Sequence, residues 1–294
     1  MLLFNLLNLK ALLLIALPVN GLCFLLTLNL ILMKNKLIIA VVLGCFAFLF
    51  FACKKETSSI GEELITNKTS ISAADPSGTV GILSVLWDGD ANLGTGVFKV
   101  LNVDAPADLA AVNNATYGKI WRFTKAIGSN RCEVHAAKNF AAVEGDDIYL
   151  GWRSQLAMTA SLTANALFQW KAYGANMTQN FPIVIKTVSG DFKLMHTAPG
   201  GANTYIWSTP VSVNNWNTFV LRIKVSRNAA VGFMEFWFNG VKQTLSNGTQ
   251  RYYGRTLDAD YCDPKWGVYG ASSELIVNRV HGLKIGSAYA DVAP

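Results

Sequence analysis

Trp216-Asn217-Thr218-Phe219-Val220-Leu221-Arg222-Ile223-Lys224-Val225 alternates in side-chain character along its length. In an extended chain successive side chains point to opposite sides. Phe219, Leu221, Ile223 and Val225 therefore share one face, and Arg222 and Lys224 share the other. Gly232-Phe233-Met234-Glu235-Phe236-Trp237-Phe238-Asn239-Gly240 follows as a second strand and ends in an Asn-Gly hairpin turn. Working outward, similar runs recur at Lys119–Lys125, Arg131–His135, Asp147–Arg153, Ala166–Tyr173, Ile183–Thr187, Trp266–Tyr269 and Arg279–Ile285. Turn signals such as Ser189-Gly190-Asp191, Pro199-Gly200-Gly201 and Asn247-Gly248 separate the runs. Beyond Thr79 there is no long amphipathic helical pattern, and Ala105–Asn114 reads as a short helix or loop. The expected fold is all-β: a lectin-like antiparallel β-sandwich of the jelly-roll kind.

The first 52 residues differ in kind. They are almost wholly apolar, with Lys10, Lys34 and Lys36 as their charged residues. They inflate the apolar fraction of 51% and three units of the net charge of +6, leaving +3 for the rest. So mild a charge, with no basic stripe, argues against a nucleic-acid partner. Met33-Lys34-Asn35-Lys36 followed by an apolar core has the layout of a signal peptide. That core ends in Ala52-Cys53, as in a lipobox, so Cys53 is the expected lipidation site; an ordinary membrane anchor is the alternative. Residues 1–32 read as an upstream extension with Met33 as the start, 33–52 as signal peptide, 53–78 as lipidated Cys and flexible tether, and 79–294 as the folded domain. The expected location is outside the cell, held by lipid to the outer membrane or cell surface, or secreted. Cys132 and Cys262 are the two cysteines of the domain and a candidate disulfide in an exported protein. Neither CxxC nor HExxH spacing occurs, so no metal site is expected, with structural Ca2+ left open.

Three strands carry chemistry. Arg131, Glu133 and His135 alternate onto one face of the first. Gln169, Lys171 and Tyr173 do the same on the second. Lys265 and Tyr269 flank Gly267 on the third, where the missing side chain leaves room for a ligand. The Arg-x-Glu, Gln-x-basic and Lys-x-Gly-x-Tyr strands, in that order, resemble the concave sheet of jelly-roll polysaccharide lyases. The Trp216–Gly240 hairpin resembles the heparin lyase I and glucuronan lyase type. Alginate and heparin lyases of this shape carry His where Lys171 stands, and the alginate pattern has a second Arg at His135. The Gln-x-Lys strand with a late Tyr is similar to jelly-roll ulvan lyases.

The resemblance implies β-elimination on a uronate polymer, ulvan first, with glucuronan, heparin-like and alginate polymers as alternatives. In such a reaction Arg131 and Gln169 would neutralise the uronate carboxylate. Lys171, depressed by nearby cations, would take the proton and Tyr269 would protonate the leaving oxygen. Lys265, His135, Arg153, Glu133 and Tyr173 are candidate substrate contacts, and Trp170 or Trp207 candidate stacking platforms. The expected partner is an anionic polysaccharide bound by a monomer. A non-catalytic carbohydrate-binding module is a competing reading. A jelly-roll hydrolase is another; it needs two carboxylates facing across a cleft, for which Glu133 and Glu235 are the candidates.

Overall fold

The computed structural model describes residues 84–158 and 163–294. The expectations for residues 1–32, for the signal peptide, for Cys53 and for the tether lie outside the described residues. The strands are β1 (Val85–Asp88), β2 (Phe98–Val103), β3 (Asp108–Asn114), β4 (Gly118–Lys125), β5 (Arg131–Ala137), β6 (Asp147–Met158), β7 (Asn165–Tyr173) and β8 (Ile183–Val188). They continue with β9 (Asp191–Thr197), β10 (Asn203–Pro210), β11 (Trp216–Lys224), β12 (Phe233–Phe238), β13 (Val241–Lys242), β14 (Tyr252–Tyr253), β15 (Tyr261–Gly270) and β16 (Ile276–Gly286). Two 3-10 turns, Ala91–Leu93 and Thr95–Val97, precede β2, and one short α-helix, α1 (Tyr289–Val292), lies near the end of the described residues.

Two antiparallel sheets form a jelly-roll sandwich. One runs β13-β12-β11-β6-β16-β4-β3, with β1 added on β16 and β14 on β12. The other runs β10-β9-β8-β7-β15-β5-β2. The β11–β12 pair sets Phe219 opposite Phe238 and Arg222 opposite Glu235, and Asn239 and Gly240 both take positive φ at the tight turn from β12 into β13, where Phe238 pairs with Val241. That turn geometry matches the twist of the paired strands. Phe219, Leu221, Ile223 and Val225 are all buried, as the alternation requires. Their burial meets a chain of rings that crosses between the sheets. Phe219 stacks on Trp152 at 5.4 Å, Trp152 on Phe168 at 5.1 Å, and Trp266 on Trp87 at 5.4 Å. Rings of this size bring most of the apolar area in the core.

One segment differs from its sequence reading. Ala105–Asn114 contains β3 rather than a helix: Leu109 pairs with Phe123 and Val112 with Ile120 along β4. Its alanines favour helix locally, but ladder pairing at the sheet edge outweighs that weak preference. The candidate disulfide is also absent. Cys132 and Cys262 are both buried free thiols. Cys132 stands opposite Val268, six residues along β15 from Cys262, a separation of about 20 Å at strand rise. A disulfide needs the two Cα atoms within about 7 Å.

Candidate active site

β15 lies between β5 and β7, so the three motif strands become neighbours although more than a hundred residues of chain separate β5 from β15. Lys265 stands opposite His135 on one side and opposite Gln169 on the other. Tyr269 faces Arg131, Asp263 faces Lys171, and Tyr261 faces Tyr173. Residues of the other parity, Cys132, Val134, Phe168, Trp170 and Trp266, are buried against the opposite sheet. The polar residues therefore line the outer face of their sheet. Gly267 sits at the centre of that face with φ near +140°, and a Cβ there would lie 2.2 Å from the Cys132 carbonyl oxygen. Only glycine tolerates both the conformation and the approach.

Glu133 organises the site from below. It is 2% exposed. Gln169 Nε2 donates to its Oε1 at 2.5 Å, passing over Gly267. Lys265 Nζ lies 3.1 Å and Arg131 Nε 3.5 Å from its Oε2. A buried carboxylate is tolerated when cations and donors surround it, and here it fixes three of them in place.

The surplus positive charge shows in the next residues. Burial lowers the Lys171 pKa to about 8; Lys265 and Arg131 push it the same way and Glu133 opposes. Its ammonium donates to Asn180 Oδ1 and lies 5.3 Å from the Tyr173 ring centre. His135 stacks on Tyr173 at 4.6 Å. Burial, then Lys265, Lys171, Lys99 and Arg131, drives the His135 pKa to about 3, so its imidazole is neutral. Burial, reinforced by Asp263, raises Tyr173 well above the ordinary phenol range, and its buried hydroxyl bonds to no other described residue. Asp263 is buried and raised to about 7 by desolvation, with Lys99 opposing. At the other end of the face, Arg131 covers the half-exposed Tyr269 ring at 4.9 Å. This is a weak base, a proton-bearing phenol and a cluster of cations on one wet sheet face.

The sequence profile of the polysaccharide lyases matches residues 89–285. This chain belongs to the polysaccharide lyase family. Among solved structures, the lyase is similar to the endo-β-1,4-glucuronan lyase of the fungus Trichoderma reesei, with 17% identity over 71% of this chain and 98% of that one and a TM-score of 0.55. It is also similar to the alginate lyase of Aplysia kurodai, with 11% identity over 70% and 100% of the two chains and a TM-score of 0.45. At these identities the likeness is one of fold. No curated protein matches the sequence.

The fold of the lyase brings Arg131, Glu133, His135, Gln169, Lys171, Tyr173, Lys265 and Tyr269 onto one face, but not all into one another's reach. Lys171 faces Asp263, and Tyr269 lies six residues further along β15, about 20 Å at strand rise. Lys171 also leans toward Tyr173, away from Tyr269. Arg153 is not part of this face: it lies on β6 of the other sheet, 3.4 Å from His281 and over the Tyr117 ring. Trp170 and Trp207 are buried and donate to Thr256 O and Gln243 Oε1, so neither offers a ring to a sugar. Glu235 also belongs to the other sheet, on its outer face, so Glu133 and Glu235 do not face each other across a cleft as hydrolysis requires. Among the described residues no group of three His, Cys, Asp or Glu is arranged to hold a metal ion. Three participants escaped the sequence reading. Asp263 was within its grasp, since alternation from Lys265 puts it on the same face. Asn180 lies in a loop and Lys99 on β2, and only the tertiary fold brings them close.

Proposed function

We propose that this lyase cleaves a uronic-acid-containing polysaccharide by β-elimination, with ulvan as the first candidate substrate. The observation that carries the reading is the buried Glu133 holding Arg131, Lys265 and Gln169 beside a lysine whose pKa is lowered to about 8. The proton next to a uronate carboxylate is only weakly acidic until that carboxylate is neutralised. Arg131 and Lys265 supply the neutralising charge on the outer face. Lys171, neutral in part near its pKa, removes the proton. The electrons of that C–H bond form the ring double bond, and the glycosidic oxygen leaves with its bonding pair and takes a proton from an acid. Base and acid serve adjacent atoms of one sugar, and each must come within about 3 Å of its own. Tyr173 is the phenol beside Lys171, its ring centre 5.3 Å from the ammonium and its proton retained by burial, and its buried hydroxyl has to turn outward to reach the leaving oxygen. Tyr269 with Arg131 then serves a neighbouring sugar of the bound chain. His135, neutral and stacked on Tyr173, holds the phenol in place.

Glucuronan is the second substrate reading, favoured by the likeness to the Trichoderma reesei glucuronan lyase. A carbohydrate-binding module would not need a lysine held near neutral pKa. Incubating the protein with ulvan, glucuronan, heparin and alginate, and following the ultraviolet absorbance of the unsaturated product, tests the proposal. Product from ulvan or glucuronan is expected; binding without product on all four polymers refutes it. We further propose that Cys53 is the lipidated N-terminus; mass spectrometry of membrane-extracted protein showing an unmodified Cys53 refutes that.

A further inference from the structure

The polar face does not stop at β7. The register carries a row of side chains across six strands: His135, Lys265, Gln169, Val184, Met195 and Tyr205. A second row beside it runs Arg131, Tyr269, Ala166, Lys186, Lys193 and Ser208. Phe192, Leu194 and Ile206, of the other parity, are buried in the core, so Lys193 and Tyr205 share the outer face with the site. Lys186 and Lys193 stand directly opposite each other on β8 and β9. Like charges in that position destabilise a sheet. The lysines nonetheless converge on one ring, with Lys186 Nζ 5.2 Å and Lys193 Nζ 5.0 Å from the centre of Tyr205, which is 43% exposed. The anion set beside them is Asp191, 3.6 Å from Lys193, which answers one charge of the two. A lysine pair with one charge unanswered, set over an open aromatic ring, is what an acidic sugar would fill, its carboxylate or sulfate between the ammoniums and its ring on the tyrosine.

We propose that Lys186, Lys193 and Tyr205 form a distal subsite for an acidic sugar of the same polymer chain. It rests on the uronate-lyase reading above. Tyr205 lies three strands from Gln169, about 14 Å at ordinary strand spacing, so the occupant is a few sugar units from the bond that breaks. Val184 and Met195 form an apolar floor between the two ends. The polymer then lies across the strands, along the rows.

The test is affinity electrophoresis in gels containing glucuronan or ulvan, which measures binding without turnover. The Lys186→Gln/Lys193→Gln double variant is expected to bind about tenfold more weakly at low salt, a difference that shrinks as salt rises. Its melting temperature should hold or increase, because a like-charge pair is removed. Tyr205→Ala should weaken binding further, and Lys224→Gln on the other sheet should bind as the parent does. On polymer the double variant's loss should fall on KM. Parent-like affinity in the double variant overturns the subsite and leaves the lyase reading standing. A parent protein that binds neither polymer removes that reading, and the subsite with it.

Discussion

Each sheet of the sandwich carries a buried glutamate on its outer face, ringed by cations. Glu235 is 3% exposed and Glu133 2%. Around Glu235, Lys242 lies at 2.9 Å, Arg251 at 2.6 Å and Arg222 at 3.3 Å, and Arg222 is also held by both oxygens of Asp147. Burial alone would raise Glu235, but hydrogen bonds from Lys242 and Arg251 outweigh it and leave its pKa lowered. Arg222 is raised, chiefly by Asp147. Three cations meet two carboxylates in that network, each in direct contact, and each partner favours the other's ionised form. Around Glu133 the balance is different. One carboxylate faces Arg131 and Lys265 with Lys171 and Lys99 nearby, and burial, reinforced by that excess of cations, lowers Lys171 and His135. A closed network stabilises a fold. An open one, with cations to spare and a base half-way to neutrality, awaits an anion.

The largest expected effect lies at the open network. Lys171→Ala and Tyr173→Phe should each cost about 100- to 10,000-fold in turnover, the ordinary contribution of a general base or acid. Tyr269→Phe separates the two ends of the face: it should cost far less than Tyr173→Phe, and a larger loss would move the acid to Tyr269. Next comes pH. A base must be unprotonated to act, so kcat should rise as pH climbs through about 8 and level off above it. A profile flat from neutral to alkaline pH would remove Lys171 as the base. The closed network should answer in stability instead. Glu235→Gln strips the shared partner from three cations and should cost about 3 kcal/mol in chemical denaturation with little change in kcat. An unchanged denaturation midpoint would contradict the contrast. The smallest effect concerns the thiols. Burial raises Cys132 to about 12 and pushes Cys262 up as well, so both should resist labelling in the folded protein and both should label after denaturation without reductant. Fewer than two thiols in the denatured domain would restore the disulfide.

Strict alternation made the β11–β12 hairpin and the faces of β5 and β7 legible in the sequence, because a strand with one face in the core writes that face at every second residue. In β15 the alternation is legible from Lys265 to Tyr269, whereas the strand begins at Tyr261. Pro264 hid the rest, since proline lacks the N–H that a central strand gives its neighbours. The structure admits it where the β5 pairing ends: the last pair is Lys265 with His135, and Ala136 turns out of the ladder with φ of 59°. The site residues came from motif and alternation together, and their shared sheet was legible. Their spacing along it was not. Register between strands distant in sequence is set by packing, so nothing local said that Lys171 would face Asp263 and lean on Tyr173 rather than reach Tyr269. The stacking of His135 on Tyr173 spans two strands and belongs to the twist of the sheet. Arg153 shows the converse error, a plausible residue on a well-read strand that the topology assigns to the other sheet.

The central claim is that elimination on a uronate polymer takes place at the Glu133 network and not at its counterpart. The most direct measurement is the rate of unsaturated-product formation from ulvan or glucuronan near pH 8 by folded Glu133→Gln and Glu235→Gln proteins, side by side. The account predicts a loss of about 100-fold or more for Glu133→Gln, because Arg131, Lys265 and Gln169 lose the anion that places them, and near-parental turnover for Glu235→Gln. Parental turnover in Glu133→Gln, or the reverse order of the two variants, would contradict it.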